Sequence, residues 1–174
     1  MANPDVNKGF SAQAPICPPR SFFVDASNAT AFFNGDVVDL EADGRATPAA
    51  AGAIGLIGTT DDRLDVSTAG SVLVYSDPDQ IFSAQDDGGG TVSVDNVGNM
   101  ADHVAGAGSN GKSNHELGFG TLDDNAAAGF FILQAIRNPD FSEDSANEPN
   151  ADNQSWLCMI NEHIFKSDVA DTVA

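Results

Sequence analysis

The sequence predicts an all-β fold, a single compact β-barrel or sandwich with an extended N-terminal arm and little helix. Three observations predict it. Short apolar runs recur roughly every 10 to 15 residues with turn signals between them, the spacing of a barrel or sandwich. Several of these runs alternate with period two. Asp, Gly and Asn fill the gaps, and these residues favour turns over helices.

The elements follow in chain order. Residues 1 to 20, "MANPDVNKGFSAQAPICPPR", hold four prolines and no periodicity. Proline removes backbone donors and favours the polyproline region, so this stretch reads as an extended arm, with a frayed terminus as the alternative. Apolar density rises after Arg20, which places the β-barrel-like domain at residues 21 to 174. "SFFVDAS" and "DVVDLEA" are the first two strands, with a turn predicted at Asn34-Gly35 between them. In "GAIGLIG" the glycines predict bends or close backbone approach. "SVLVYSD" is β-branched and aromatic, and "QIFSAQDD" alternates. "GGGTVSVDN" also alternates, which predicts a hairpin with the preceding strand across Asp87 to Gly90. "VGNMADHVA" is the one helix candidate. "GFFILQAI" and "SWLCMINEHIF" are the strongest late strands, and Trp156 in the latter is expected in the core or at a subunit interface.

Composition narrows the function. The chain has 174 residues, 41% hydrophobic content and eleven Phe, enough for a real core. Its net charge is −19, from 26 acidic against 7 basic residues. That excess opposes nucleic-acid binding, which needs basic groups to displace counterions, and it opposes anionic membranes for the same reason. The N-terminus shows no apolar leader, and Cys17 and Cys158 match no metal spacing. Two free thiols made in a reducing cytoplasm are expected, with a disulfide between them left open.

Few stretches suggest chemistry. "GAGSNGKS", residues 106 to 113, spells the phosphate-loop pattern through Gly106, Gly111, Lys112 and Ser113. The motif works only between a buried strand and a helix that begins at the Lys. Here Gly118 and Gly120 fall where that helix would run, so a surface loop is expected. His103, His115 and His163 form no helical pair suited to zinc. The pairs Asp61-Asp62, Asp86-Asp87 and Asp123-Asp124 read as solvated turn carboxylates. "DFSEDSANE" fails as a calcium loop, because Ser145 and Ala151 replace the required Gly and Glu. No cofactor, metal site or catalytic centre is expected.

Five stretches together carry a resemblance: "MANPD", "DASNATAFFNGDVVDLEADG", "VLVYSDPDQIFSAQDDGG", "DNVGNMADHVAGAGS" and "WLCMINEH". In this order, from Met1 to about Phe165, they resemble a family of small tailed-bacteriophage virion proteins, the head decoration or cement proteins that accompany the major capsid protein. The resemblance implies no catalytic residues. It implies a β-barrel body that assembles as a homotrimer, or failing that a dimer, on the outside of the capsid after synthesis in the bacterial cytoplasm. The implied partners are the major capsid protein and further copies of the chain, with no nucleic acid and no membrane. In such a protein Asn3, Pro4, Val6, Phe10, Pro15 and Ile16 of the arm are the residues expected to touch the coat. About 20 extended residues reach roughly 60 Å, and strand addition to a coat edge is a natural mode of attachment. The alternative, resting on the Asp-rich turns, is a calcium-stabilised carbohydrate-binding or adhesive β-module.

Overall fold

The alternation in "GSVLVY" produces a strand with one wet and one dry face: Val72 and Val74 are buried, while Ser71 and Leu73 are exposed. The same pattern recurs along the chain. The structure, a computed structural model, describes residue 5 and residues 8–123, 129–136 and 152–166. Its strands are β1 (Ser11–Ala12), β2 (Arg20–Val24), β3 (Val37–Leu40), β4 (Ala46–Pro48), β5 (Gly58–Thr60), β6 (Gly70–Tyr75), β7 (Ile81–Gln85), β8 (Met100–Val104), β9 (Glu116–Asp123), β10 (Phe130–Ala135) and β11 (Ser155–Ile160). Among the described residues the helical content is a single 3-10 turn, Val94–Asn96. The protein is all-β, as the sequence predicts.

The strands form two antiparallel sheets, one of six strands in the order β1-β7-β11-β10-β8-β9 and one of five in the order β2-β6-β5-β3-β4. Two apolar clusters hold them. Phe82, Ala84, Leu117, Phe130, Ile132, Trp156 and Cys158 of the larger sheet pack with Phe10, Val37, Ala49 and Leu56. A second cluster, Val24, Phe32, Val38, Ala46, Ile57, Val72 and Val74, fills the inner face of the smaller sheet. The neighbours Val37 and Val38, both 0% exposed, point to opposite faces and so belong to different clusters. β3 is therefore buried on both sides, which explains its continuous apolar pair. Farther round the same sheet the outer face is open, and Phe23 on β2 is 78% exposed.

Three local expectations are corrected. "VGNMADHVA" is not a helix: Met100–Val104 forms β8, paired with β9 and β10, with Ala101 and His103 turned inward. Long-range pairing overrides a weak local pattern there. "GGGTVSVDN" makes no hairpin with β7, whose partners are β1 and β11. Gly90 packs against the Phe119 carbonyl, where a Cβ would collide, and Ser93 N–H is captured by Asn96 Oδ1 at the 3-10 turn. The Asn34-Gly35 turn exists, yet it joins no hairpin, because β2 pairs with β6 and β3 with β4 and β5. "GAIGLIG" behaves as its glycines predict. Gly58, with φ of 147°, lets β5 approach Tyr75 so closely that any Cβ would strike the Tyr75 carbonyl oxygen.

The N-terminal segment also differs from a free arm. β2 does begin at Arg20, but residues 8 to 17 are already fastened to the body. Phe10 N–H donates to the Gly35 carbonyl at 2.9 Å, Gln13 N–H to the Ile81 carbonyl at 2.8 Å and Cys17 N–H to Gln80 Oε1 at 2.9 Å. Lys8 Nζ donates to Ser155 Oγ at 2.8 Å.

Candidate functional site

The segment "GAGSNGKS" is a hairpin tip. Ser109 and Lys112 exchange backbone hydrogen bonds, each 2.9 Å, across Asn110 and Gly111. Both intervening residues have positive φ, 50° and 78°, the geometry that Asn-Gly favours in two-residue hairpins. No helix follows Lys112, so its backbone builds no phosphate cradle; its ammonium instead donates to Asn34 Oδ1 at 3.3 Å. Ser113, next in the chain, is fully buried and its N–H donates to the Asn34 carbonyl.

Ser113 introduces a polar cluster that sequence reading missed. Its hydroxyl oxygen accepts from His115 N–H at 2.9 Å, and the hydroxyl lies close enough to the Asp36 carboxylate to favour its charged form. His115 Nδ1 accepts from Val37 N–H at 3.2 Å, which leaves the ring proton on Nε2, facing Asp36 Oδ1 at 3.6 Å. Burial pushes Asp36 up to about 6 and His115 down to about 3. Serine, histidine and aspartate thus meet in one place. The hydroxyl oxygen is bonded by the His115 backbone and not by its ring, however, and none of the three is more than 4% exposed. A nucleophile shut away from substrate and from its base does no acyl chemistry. The signal that could have found this cluster is the two-residue spacing of Ser113 and His115, which puts both on one side of an extended chain.

The acidic pairs are occupied by protein donors. Asp61 accepts from Asn34 and from the Tyr75 hydroxyl, and Asp62 accepts from Leu73 N–H at 2.6 Å. Asp86 is 0% exposed and accepts from Gly88 N–H, Asn153 N–H and Trp156 Nε1–H. Asp87 accepts from Gly89 N–H and Phe119 N–H. Among the described residues no group of three His, Cys, Asp or Glu side chains is placed to hold a metal ion. Asp124 and "DFSEDSANE" lie outside the described residues. Cys17 and Cys158 are both free thiols, the latter in the core.

The expected contact residues divide sharply. Asn3, Pro4 and Val6 lie outside the described residues. Phe10 is 2% exposed and stacks on Phe130 with ring centroids 4.5 Å apart, so it anchors the core and cannot reach a coat subunit. Pro15 and Ile16 are exposed, Ile16 by 58%. Trp156 is 1% exposed, packed against Phe119 at 4.9 Å, which decides for the core and leaves the indole no surface for a subunit contact.

One surface with a recognisable binding geometry is the β2 edge. β2 pairs only with β6, and among the described residues no backbone group bonds to its other side. Ser21 lies opposite Leu73 and Phe23 opposite Ser71, which makes Phe23 and Leu73 diagonal neighbours on the outer face. Leu73 is 41% exposed. At the far end of β2, Asp25 pairs with Arg45 beyond β3, where the two edges of this sheet approach. An unpaired strand with an aromatic at its centre is a ready template for another chain. Among the described residues no helix is long and apolar enough to cross a membrane. No family model, curated protein or solved structure matches this chain.

Proposed function

We propose that the chain is a non-enzymatic structural virion protein, a decoration or cement protein that binds the outside of a phage head and clamps neighbouring coat subunits. The resemblance of its sequence segments to that family is one support. The observation that carries the reading is the β2 edge: among the described residues no strand pairs with its outer side, and Phe23 faces outward beside it, so that on this reading a coat strand adds there by main-chain hydrogen bonds. The partners are the major capsid protein and other copies of this chain, most simply as a trimer, with synthesis in the bacterial cytoplasm before attachment. The charge of −19 suits an exterior position away from packaged DNA. Mutual repulsion within an oligomer is screened beyond about 8 Å in physiological salt.

The binding test is co-sedimentation with coat shells that lack this protein. A truncation to Ser21 would remove Phe10 from the core and confuse unfolding with lost contact. The informative comparison is the full chain against a chain starting at Lys8, which keeps every fastening of residues 8 to 17. Equal binding places the contact on the body; weaker binding by the shorter chain assigns part of it to residues 1 to 7. Absence of binding by both overturns the reading.

A further inference from the structure

All three histidines of the chain sit where the two sheets meet, and each is buried, with exposures of 1%, 4% and 1% for His103, His115 and His163. His103 belongs to β8 of the larger sheet, and its Nε2 donates to the Ala49 carbonyl, just past β4 of the smaller one, at 3.4 Å. The backbone closes the same joint, with Gly52 N–H donating to the His103 carbonyl at 3.0 Å. His115 precedes β9 and takes the N–H of Val37 in β3. His163 follows β11 and bridges to Leu56, on the approach to β5, with Ile164 N–H donating to the Leu56 carbonyl at 3.0 Å.

The hydrogen bonds decide which nitrogen is free to take a second proton. In His115 and His163, Nδ1 accepts from a backbone N–H, that of Val37 and of Phe165 respectively. A proton added there sets one N–H against another. In His103 Nε2 is the donor, and Nδ1 is buried with no hydrogen-bond partner. The rings of His103 and His115 stack with centroids 5.6 Å apart, so charging both sets two cations together. The charged groups around them give little relief. Asp102 neighbours His103 and favours its charge, while Asp77 favours and Lys166 and Arg20 oppose charge on His163. Asp36 is the carboxylate facing His115, and burial raises it to about 6, so it takes up its own proton before the ring does.

We propose that these three rings form an acid-released latch: proton uptake by His103, His115 and His163 parts the smaller sheet from the larger along β3–β4 and the Leu56 segment, before either sheet loses its internal ladder. The ladders contain no histidine ring hydrogen bond, whereas two rings bond across the joint, His103 to the Ala49 carbonyl and His115 to Val37 N–H, and the His163 ring, held by Phe165 N–H, lies beside the third crossing, the Ile164–Leu56 backbone bond. The sign follows from the neutral form being favoured when closed. Burial lowers all three, His115 to about 3 and His163 to about 4, below the usual value near 6.5. The closed state is therefore fully supported above pH ~6.5 and loses support as pH falls towards those values. Each ring raises the open population up to about tenfold per pH unit in that window, and Asp36, shifted the other way, offsets one ring between about pH 6 and 4.

The test is amide hydrogen exchange on the full chain from pH 6.5 to 4, expressed as protection factors corrected for the intrinsic rate. The joint amides of Val37, Gly52 and Ile164 should lose protection at least tenfold more than the β10–β11 ladder amides. His163→Gln, read at Gly52 and Ile164, should flatten that pH dependence by about one proton. Joint and ladder amides losing protection together, or joint amides unchanged down to pH 4, would overturn the latch. The parent measurement decides even if the variant does not fold.

Discussion

Trp156 donates its indole Nε1–H to Asp86 Oδ2 across 3.0 Å, a hydrogen bond with both side chains almost entirely out of water. Asp86 holds two backbone N–H groups as well, at Gly88 and Asn153, so one carboxylate ties the end of β7 to the start of β11. Asp86→Ala strands three donors and should cost about 3 kcal/mol, in the range for hydrogen bonds to charged groups left unmade. Urea unfolding followed by Trp156 fluorescence reads it, and a loss below about 1 kcal/mol would show that the donors find other partners.

Phe10 behaves as core although it lies ten residues from the N-terminus. Phe10→Ala should cost about 3–5 kcal/mol, as for other buried aromatics. A chain starting at Lys8 should keep the parent unfolding free energy within about 0.5 kcal/mol. Equal stability of parent and Phe10→Ala would mean that residues 8 to 17 are not fastened in solution.

Gly111 at φ 78° completes the Asn-Gly turn. Gly111→Val should cost about 1–2 kcal/mol, since L-residues resist the left-handed region. Lys112→Ala, whose contact with Asn34 is exposed, should change stability by under about 0.5 kcal/mol. Millimolar ATP should leave the thermal midpoint of the parent unchanged. A midpoint raised by ATP and insensitive in Lys112→Ala would restore the phosphate-loop reading.

Glu116 at the start of β9 carries a raised pKa of about 7, caused first by burial and then by the nearby carboxylates Asp5, Asp87 and Asp86. Its folded value lies above its unfolded one. The stability it contributes is therefore present below the usual range near 4.5 and lost as pH rises through about 7. Glu116→Gln should stabilise the protein at pH 8 by about 1 kcal/mol, after allowance for solvent screening of a half-buried group, and change little at pH 5. Chemical denaturation at the two pH values checks the difference; an equal effect at both would assign it to packing.

Local alternation made much of this fold legible. β2, β3, β6, β7, β10 and β11 all coincide to within a residue with runs that the sequence marks, because β6, β7 and β10 bury alternate side chains and β3 a continuous apolar pair. β9, "ELGFGTLD", was hidden by its glycines, which suit strand passage beside Gly89 and Gly90 but dilute the apolar pattern. β8 was hidden because its inward residues are Ala101 and His103, neither of which signals a core by itself. The histidine joint was invisible for a related reason. Its partners are backbone groups at Val37 and Ala49, separated from the rings by 78 and 54 residues, and only the packing of two sheets brings them together. Phe10 misled through its neighbours: prolines mark an extended segment, but an extended segment can still be a bound one.

The most direct test of the proposed function is the affinity for assembled coat shells measured by co-sedimentation, with parent and Phe23→Ser compared at equal charge. Phe23 is exposed, so the replacement should leave the fold intact by circular dichroism. The cement reading predicts saturable binding of the parent to shells, little binding to unassembled coat subunits, and roughly tenfold weaker binding by Phe23→Ser, as for loss of an aromatic anchor. No binding to shells, or equal binding to shells and free subunits, would contradict it.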